Sequence, residues 1–156
     1  MILDGHIHIS APFSRDAQLV EKMKLAQIDG GIIISLPPST YRSRGTADET
    51  YSPEKRIEDL LLWAQLNPNL YPFFWIDPTS DDAISQVDMA VEKGVKGFKV
   101  ICNYFFPSED KAMKTYERIA GYGKPILFHS GILYDGPRAS SRYNRPVEFE
   151  ALFTIN

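Results

Sequence analysis

Short runs of β-branched and aromatic residues alternate with segments of helical periodicity along the chain, and this alternation constrains the fold most. The five runs predict strands at Ile2–Ile9, Ile32–Leu36, Leu70–Ile76, Gly97–Ile101 and Pro125–His129. Their starts follow one another at about 30 residues, the length of one βα unit. Strands that alternate with helices form parallel sheets. The sequence therefore predicts an α/β protein with one parallel sheet.

Capping signals predict where the helices begin and end. A first helix is expected over about 15–28, with Asp29-Gly30-Gly31 as its stop. Ser52-Pro53-Glu54 supplies an N-cap, a first-turn proline and a favourable acid for the second helix. The segments 79–82 and 108–110 open two more helices in the same way, and Val147–Phe153 looks like the start of a fifth.

The chain length favours part of a (β/α)₈ barrel over a complete one. A complete (β/α)₈ barrel takes about 250 residues, and this chain has 156. We expect a single partial TIM-barrel domain over residues 1–156, with about five of the eight βα units. An open doubly wound sheet is the alternative. No glycine-rich phosphate turn follows the first strand, and polar residues point inward at the strand ends, which both favour the barrel.

The composition excludes several classes of binding partner. Seventeen basic against twenty acidic residues give a net charge of -3, too mild to attract nucleic acid or an anionic membrane. No apolar run approaches the roughly 18 residues of a membrane span, and the lone Cys102 cannot form an internal disulfide. A cytoplasmic protein with a small-molecule substrate is expected. A partial barrel leaves sheet edges unpaired, so a homo-oligomer is expected too.

The three histidines, His6, His8 and His129, all lie at the carboxyl ends of predicted strands. Active sites of α/β sheets and barrels lie at these ends. His6 and His8 are two residues apart and so share a face, and the same alternation points Lys99 inward. Three imidazoles with an open position for water form a known zinc arrangement that makes hydroxide available for hydrolysis. The alternative is a surface pair or a hydrogen-bonded buried pair of histidines.

Three short motifs resemble the amidohydrolase superfamily, and most closely its aminocarboxymuconate semialdehyde decarboxylase-like branch: Asp4-Gly5-His6-Ile7-His8, Gly97-Phe98-Lys99 and Phe128-His129-Ser130-Gly131. The resemblance implies a metal-dependent hydrolase, truncated after the fifth βα unit, whose metal-activated water attacks an amide, ester or lactone carbon. It implies a divalent metal, Zn²⁺ or Mn²⁺, on His6, His8 and His129, with Lys99 and His129 as catalytic residues. The alternatives are a catalytically silent half barrel that persists as an oligomer and a non-hydrolytic metal-dependent decarboxylase.

Two segments on the expected active face are candidates for substrate contact. Arg138, Arg142 and Arg145 follow the fifth strand and could hold a carboxylate through forked hydrogen bonds. The alternative is three solvated arginines. The stretch Ser39–Tyr51 is long for a βα loop, so it is expected to be either a lid or a surface loop.

Overall fold

The computed structural model describes residues 1–9, 18–41, 51–133 and 141–155. The strands are β1 (Leu3–His8), β2 (Gly30–Ile34), β3 (Leu70–Trp75), β4 (Gly97–Val100) and β5 (Ile126–Phe128). The α-helices are α1 (Gln18–Leu25), α2 (Pro53–Ala64), α3 (Ala83–Glu92) and α4 (Asp110–Gly121). Two 3₁₀ segments follow, Ser141–Asn144 and Pro146–Thr154. No helix in these ranges combines the length and apolar character needed to cross a membrane.

The sheet is parallel, and its spatial order β1-β2-β3-β4-β5 equals the chain order. This order is that of a barrel wall, because a doubly wound sheet reverses direction at a switch point. The α/β prediction is confirmed, and the doubly wound alternative is wrong. Within the described residues, β1 pairs only with β2 and β5 only with β4. The homo-oligomer expected from such open edges stays a prediction.

The helices cover one face of the sheet, which we call the outer face. Its side chains form the main core with α2, α3 and α4. Core members with no exposed surface include Ile33, Phe74, Phe98, Val100, Ile57, Leu60, Val87, Ala90, Tyr116 and Ile119. Each large apolar side chain buried in this way contributes roughly 1.5–3 kcal/mol of transfer free energy. The predicted packing of Ile7 and Ile9 on this face is confirmed, since Ile9 belongs to the core and Ile7 packs against it as a partly buried side chain.

The opposite face, which we call the inner face, carries a smaller cluster of Ile34, Phe73, Trp75 and Ile101. In the strand register Lys99 is the partner of Trp75 on one side and of Leu127 on the other. Lys99 therefore points to the inner face, as its parity predicts. The register thus places Lys99 and Trp75 side by side on the inner face, near the carboxyl ends of their strands.

A buried arginine on the outer face stabilises the carboxyl ends of β2 and β3. Arg56 of α2 is 2% exposed, and its Nη1 donates hydrogen bonds to the carbonyls of Leu36 (3.1 Å) and Trp75 (2.8 Å). Its guanidinium lies 4.6 Å from the ring centre of Phe74. Burial lowers the pKa of Arg56 to about 10, so the group remains charged at neutral pH. Charged hydrogen bonds of this kind hold the carboxyl ends of β2 and β3 together.

Two local predictions are wrong. Gly30 and Gly31 belong to β2 and do not end a helix. Both strand positions need glycine, because a Cβ at Gly30 would collide with Asn69 and a Cβ at Gly31 with the backbone of Asp4. Helix α1 ends at Leu25 instead, and Gln27, with φ 57°, makes the turn. The segment expected to start a fifth α-helix at Val147 is a 3₁₀ helix.

Candidate functional site

The centre of the site is a buried lysine. Lys99 lies on the inner face and is 1% exposed. Among the described residues, its ammonium group makes no hydrogen bond or ion pair, and its Nζ is not one of the fully enclosed polar atoms that lack a partner. Burial lowers the pKa of Lys99 from 10.5 to about 8. An amine in this state has an appreciable neutral, nucleophilic fraction near neutral pH.

Two imidazoles face each other at the end of β1. The Nε2 atoms of His6 and His8 are 2.9 Å apart, and the ring of His8 meets Trp75 edge-on with centroids 5.2 Å apart. One of the two nitrogens must donate and the other accept, so at least one ring is neutral. The pKa of His8 is lowered to about 4, first by burial and then by the charges of His6, Lys99 and His129. Burial, followed by Lys99, lowers the pKa of His6 as well.

A register shift in β1 brings this pair together. The ladder to β2 is interrupted between Asp4 and Ile7, and the Asp4 carboxylate accepts the backbone N–H of His6 at 2.9 Å. Such irregularities re-aim side chains and are common next to active sites. Strand alternation alone places His6 and His8 on one face, but the shift accounts for the direct contact of their rings.

His129 approaches from the other end of the sheet. Its backbone N–H continues the ladder to the carbonyl of Val100 at 2.9 Å, and its Nε2 donates to the carbonyl of Ile132 at 3.2 Å. Because a carbonyl can only accept, the proton of the neutral ring lies on Nε2 and the lone pair on Nδ1. Burial lowers the pKa of His129, and the bond to Ile132 partly offsets this effect.

The structure places these side chains in one region. The charges of His6 and His8 interact with those of both Lys99 and His129. A flat sheet would hold β1 and β5 roughly 19 Å apart, so the sheet is curled. The curl makes the inner face concave, with Lys99 on its wall.

This convergence is not a zinc site. No group of three His, Cys, Asp or Glu side chains in the described ranges is placed to hold a metal ion. The Nε2 atoms of His6 and His8 point at each other, whereas two ligands of a tetrahedral zinc would be about 3.4 Å apart and point at the ion. Nε2 of His129 is directed to a backbone carbonyl. The zinc assignment is therefore wrong, while binding of another divalent metal such as Mn²⁺ stays a prediction.

Sequence reasoning missed two side chains at the same rim. Asp77 follows β3 and is 6% exposed, and it accepts hydrogen bonds from the hydroxyl of Tyr104 and from the N–H and hydroxyl of Thr79 (2.9 and 2.7 Å). The signal that singled out the histidines, a polar residue at the carboxyl end of a strand, also applies to Asp77. Tyr104 lies in the loop after β4, where no periodic pattern marks it.

The arginines of the expected carboxylate site are only partly described. Arg138 lies outside the described residues, as do residues 42–50 of the stretch expected to be either a lid or a surface loop. The guanidinium of Arg142 lies 4.6 Å from the ring centre of Tyr143. Arg145 forms an ion pair with Glu148. Both arginines thus have partners in their own segment, and a role in holding a carboxylate stays a prediction.

Comparison with known proteins yields a fold relationship. No family model matches the chain, and no curated protein matches it. Among solved structures, the chain is similar to N-acetylneuraminate lyase from Mycoplasma synoviae, with 18% identity and a TM-score of 0.51. The match covers 99% of this chain and 51% of the lyase, so the chain spans about half the length of that protein. The match supports a curled, five-stranded half of a TIM barrel.

The amidohydrolase prediction is wrong. The structural match is to a lyase, and no amidohydrolase family model matches the chain. The metal-dependent hydrolase function inferred from that resemblance is wrong as well. The physical reason is that polar side chains at strand ends form the active face of barrels with many different activities. The motifs around His6, Lys99 and His129 therefore indicate a barrel rim and do not identify a family.

Proposed function

We propose that this chain carries the amine centre of a lyase that cleaves a carbon–carbon bond in a small hydroxylated carbonyl compound. The observation that carries the proposal is Lys99, a buried amine on the concave face with no ionic partner among the described residues. Lysines desolvated in this way are the ones that form Schiff bases. The fold match to a protein named as a lyase supports the same reaction class.

The environment of Lys99 favours the neutral amine. With a pKa of about 8, its neutral fraction at pH 7 is roughly 200-fold that of an ordinary lysine. Trp75 and Leu127, its register partners on the neighbouring strands, flank the side chain with apolar groups. Substrate carbonyls reach such an amine from the concave face.

The reaction balances without an added oxidant or reductant. The Nζ lone pair attacks the carbonyl carbon, and loss of water leaves an iminium. A base then removes the proton of a hydroxyl two carbons away from the iminium carbon, and the bond between the intervening carbon and the hydroxyl-bearing carbon breaks. An aldehyde leaves, the electron pair forms an enamine, and protonation followed by hydrolysis regenerates Lys99.

His129 is the proposed proton acceptor. It lies two residues beyond Leu127, the register partner of Lys99, and shares its face. The bond from its Nε2 to the carbonyl of Ile132 leaves Nδ1 as an acceptor, which is the form a general base needs. The pair of His6 and His8, hydrogen-bonded and with lowered pKa values, supplies neutral polar groups that do not repel a developing iminium.

Borohydride trapping tests the proposal. The full chain is incubated with pyruvate, glyceraldehyde or erythrose in the presence of sodium cyanoborohydride, which reduces an iminium to a stable secondary amine. Peptide mass mapping then locates the adduct. We expect labelling at Lys99 at least about tenfold above that at exposed Lys96, since the neutral fraction of Lys99 is larger. Lys99→Gln removes this adduct and the matched variant Lys96→Gln does not.

EDTA separates amine chemistry from metal chemistry. Because the iminium forms on Lys99 alone, the chelator leaves the labelling unchanged. Labelling of Lys99 no stronger than that of Lys96 with every carbonyl compound tested refutes the proposed function. Labelling that disappears with EDTA refutes it too, and would point to a metal-bound carbonyl.

A further inference from the structure

The loop after β5 holds the ring of His129 through one backbone carbonyl. Nε2 of His129 donates to the carbonyl of Ile132 at 3.2 Å. The side chain of Ile132 is 85% exposed, so packing of that side chain does not fix the carbonyl. Gly131 has φ 100°, a backbone conformation that glycine adopts without strain and that lets the chain turn tightly here. The orientation of the His129 ring therefore depends on what holds this turn.

Two backbone N–H groups tie the turn to the first 3₁₀ segment. The N–H of Gly131 donates to the carbonyl of Asn144 at 2.7 Å, and the N–H of Leu133 donates to the hydroxyl of Ser141 at 3.0 Å. The side chain of Leu133 also packs against the inner-face cluster. Because these two donors lie on either side of Ile132, they hold its carbonyl in place.

Asn144 in turn joins the 3₁₀ segment to the chain just after β4. It has no exposed surface, and its Oδ1 accepts the N–H of Cys102 at 3.3 Å while its Nδ2 donates to the carbonyl of Cys102 at 2.6 Å. An amide that pairs its donor and its acceptor with the same residue is held in one orientation. The backbone carbonyl of Asn144 also accepts the hydroxyl of Ser130 at 3.4 Å.

The carboxyl end of β4 thus fixes His129 twice. The backbone of His129 donates directly to the carbonyl of Val100, the last residue of β4. The imidazole is held by a longer path, which runs from Cys102 through Asn144 to the turn. With both the backbone and the ring referred to the same strand end, the direction of the ring is determined.

We propose that Asn144 is a positioning residue for His129: through the turn at Gly131 and the carbonyl of Ile132, it keeps the ring proton on Nε2 and leaves Nδ1 as an acceptor. The inference rests on the proposed function, in which that Nδ1 is the base. Asn144 acts through other residues and is therefore not itself a catalytic residue.

Nitrogen NMR of the imidazole rings tests the positioning without reference to activity. The chain has three histidines, so protein labelled with ¹⁵N-histidine gives three ring systems, and His6 and His8 are internal references. The spectrum at about pH 8, where neutral rings dominate, shows which ring nitrogen carries the proton. We expect Asn144→Ala to lower the ratio of Nε2–H to Nδ1–H forms of His129 about fivefold, the effect of one lost hydrogen bond.

Asn67→Ala is the matched control. Asn67 lies before β3, at the opposite end of the sheet, and its amide also makes two hydrogen bonds to backbone groups. Its Nδ2 donates to the carbonyl of Asp29 at 3.0 Å, and its Oδ1 accepts the N–H of Asn69 at 2.9 Å. This variant loses an anchoring amide of the same kind, and we expect the His129 ratio to stay unchanged.

Ser141→Ala keeps the test decisive if Asn144→Ala does not fold. It removes the other anchor of the turn, the hydroxyl that accepts from Leu133, at a residue that is only partly buried. We expect the His129 ratio to fall about twofold, since one of two anchors is lost. Ser85→Ala, which removes an exposed hydroxyl bonded to the carbonyl of Asp82 at 2.8 Å, is its control. Circular dichroism checks that each variant folds.

Deuterium uptake by pyruvate connects the positioning with the chemistry. Protonation of the enamine, run in reverse, breaks a methyl C–H bond of the iminium; its electron pair forms the enamine and the proton goes to the base. In D₂O the methyl group therefore gains deuterium. We expect Asn144→Ala to slow this uptake about tenfold, because the base is misplaced. Trapping of pyruvate on Lys99 should change less than about twofold, because iminium formation needs the amine alone.

The outcomes separate the two proposals. An unchanged His129 ratio in both Asn144→Ala and Ser141→Ala overturns the positioning role, and so does an equal change at His6 and His8 or in Asn67→Ala. Uptake and trapping that fall together overturn it too, because Asn144 would then support the whole site. If no carbonyl compound labels Lys99, the proposed function is wrong, and the NMR ratio still decides whether Asn144 orients the ring.

Discussion

Replacing Lys99 by methionine is expected to stabilise the fold at neutral pH. The unfolded chain holds this lysine with a pKa of 10.5, and burial lowers it to about 8 in the folded chain. That difference corresponds to about 3 kcal/mol of folding free energy lost at any pH below 8. Methionine has a similar length and no charge to desolvate. Lys99→Met should therefore raise the free energy of unfolding by up to about 3 kcal/mol at pH 7.

The pH dependence of this stability gain tests whether desolvation of Lys99 is its cause. Between about pH 8 and pH 10.5 the unfolded chain binds more protons at Lys99 than the folded chain, so wild-type stability rises with pH across this window. The advantage of Lys99→Met shrinks over the same window and vanishes near pH 10.5. Urea unfolding of both proteins at about pH 7 and about pH 10 measures the difference, in which all other titrating groups cancel. Lys96→Met, at an exposed position, is the control and shows no such trend.

A stabilisation by Lys99→Met that is equal at both pH values refutes desolvation as the cause. A destabilisation at pH 7 refutes the reasoning altogether, because it would mean that the ammonium has a stabilising partner.

Further predictions concern the chemistry and the packing. Trapping at Lys99 should gain speed with pH up to about 8 and then level off, since only the neutral amine reacts; a rise that continues to pH 10 contradicts it. Gly31→Ala should destabilise by about 2 kcal/mol or more in urea unfolding, because the added carbon meets the backbone of β1. Asn144→Leu should cost about 2 kcal/mol, since the buried amide pairs with both backbone groups of Cys102 (2.6 and 3.3 Å). Arg56→Met should cost about 3 kcal/mol in the same assay by removing two charged hydrogen bonds to buried strand-end carbonyls.

Much of the sheet was predictable because strand composition and capping are local signals. Ser52 caps α2 as expected, with its hydroxyl accepting the N–H of Lys55 at 3.3 Å. The inward direction of Lys99 also followed from parity, since alternation holds wherever the strand is regular. The cap predicted for α4 was less reliable: the helix begins at Asp110, and Glu109 bonds the N–H of Phe106 instead.

The rest of the site depends on contacts between distant segments. Asn144 reaches Cys102 across 42 residues, and Tyr104 reaches Asp77 across 27. Contacts between residues so far apart in the chain leave no periodic pattern in the sequence. The glycines that begin β2, Gly30 and Gly31, show a related limit, because the same residue type that ends helices also allows strands to approach closely. Only the neighbouring strand distinguishes the two uses.

Metal coordination and amine catalysis place similar demands on a sequence and different demands on geometry. Both use nitrogen side chains at strand ends, so His6, His8, Lys99 and His129 fit either reading. Coordination requires lone pairs aimed at one point, and the imidazoles here are directed to each other and to a carbonyl. Amine catalysis requires one desolvated nitrogen beside groups that remain neutral, and partial burial of the histidines lowers the pKa of each of them. The burial that destabilises Lys99 as an ammonium is therefore the same property that makes it a nucleophile, so the stability gain of Lys99→Met should be accompanied by complete loss of the trapped adduct.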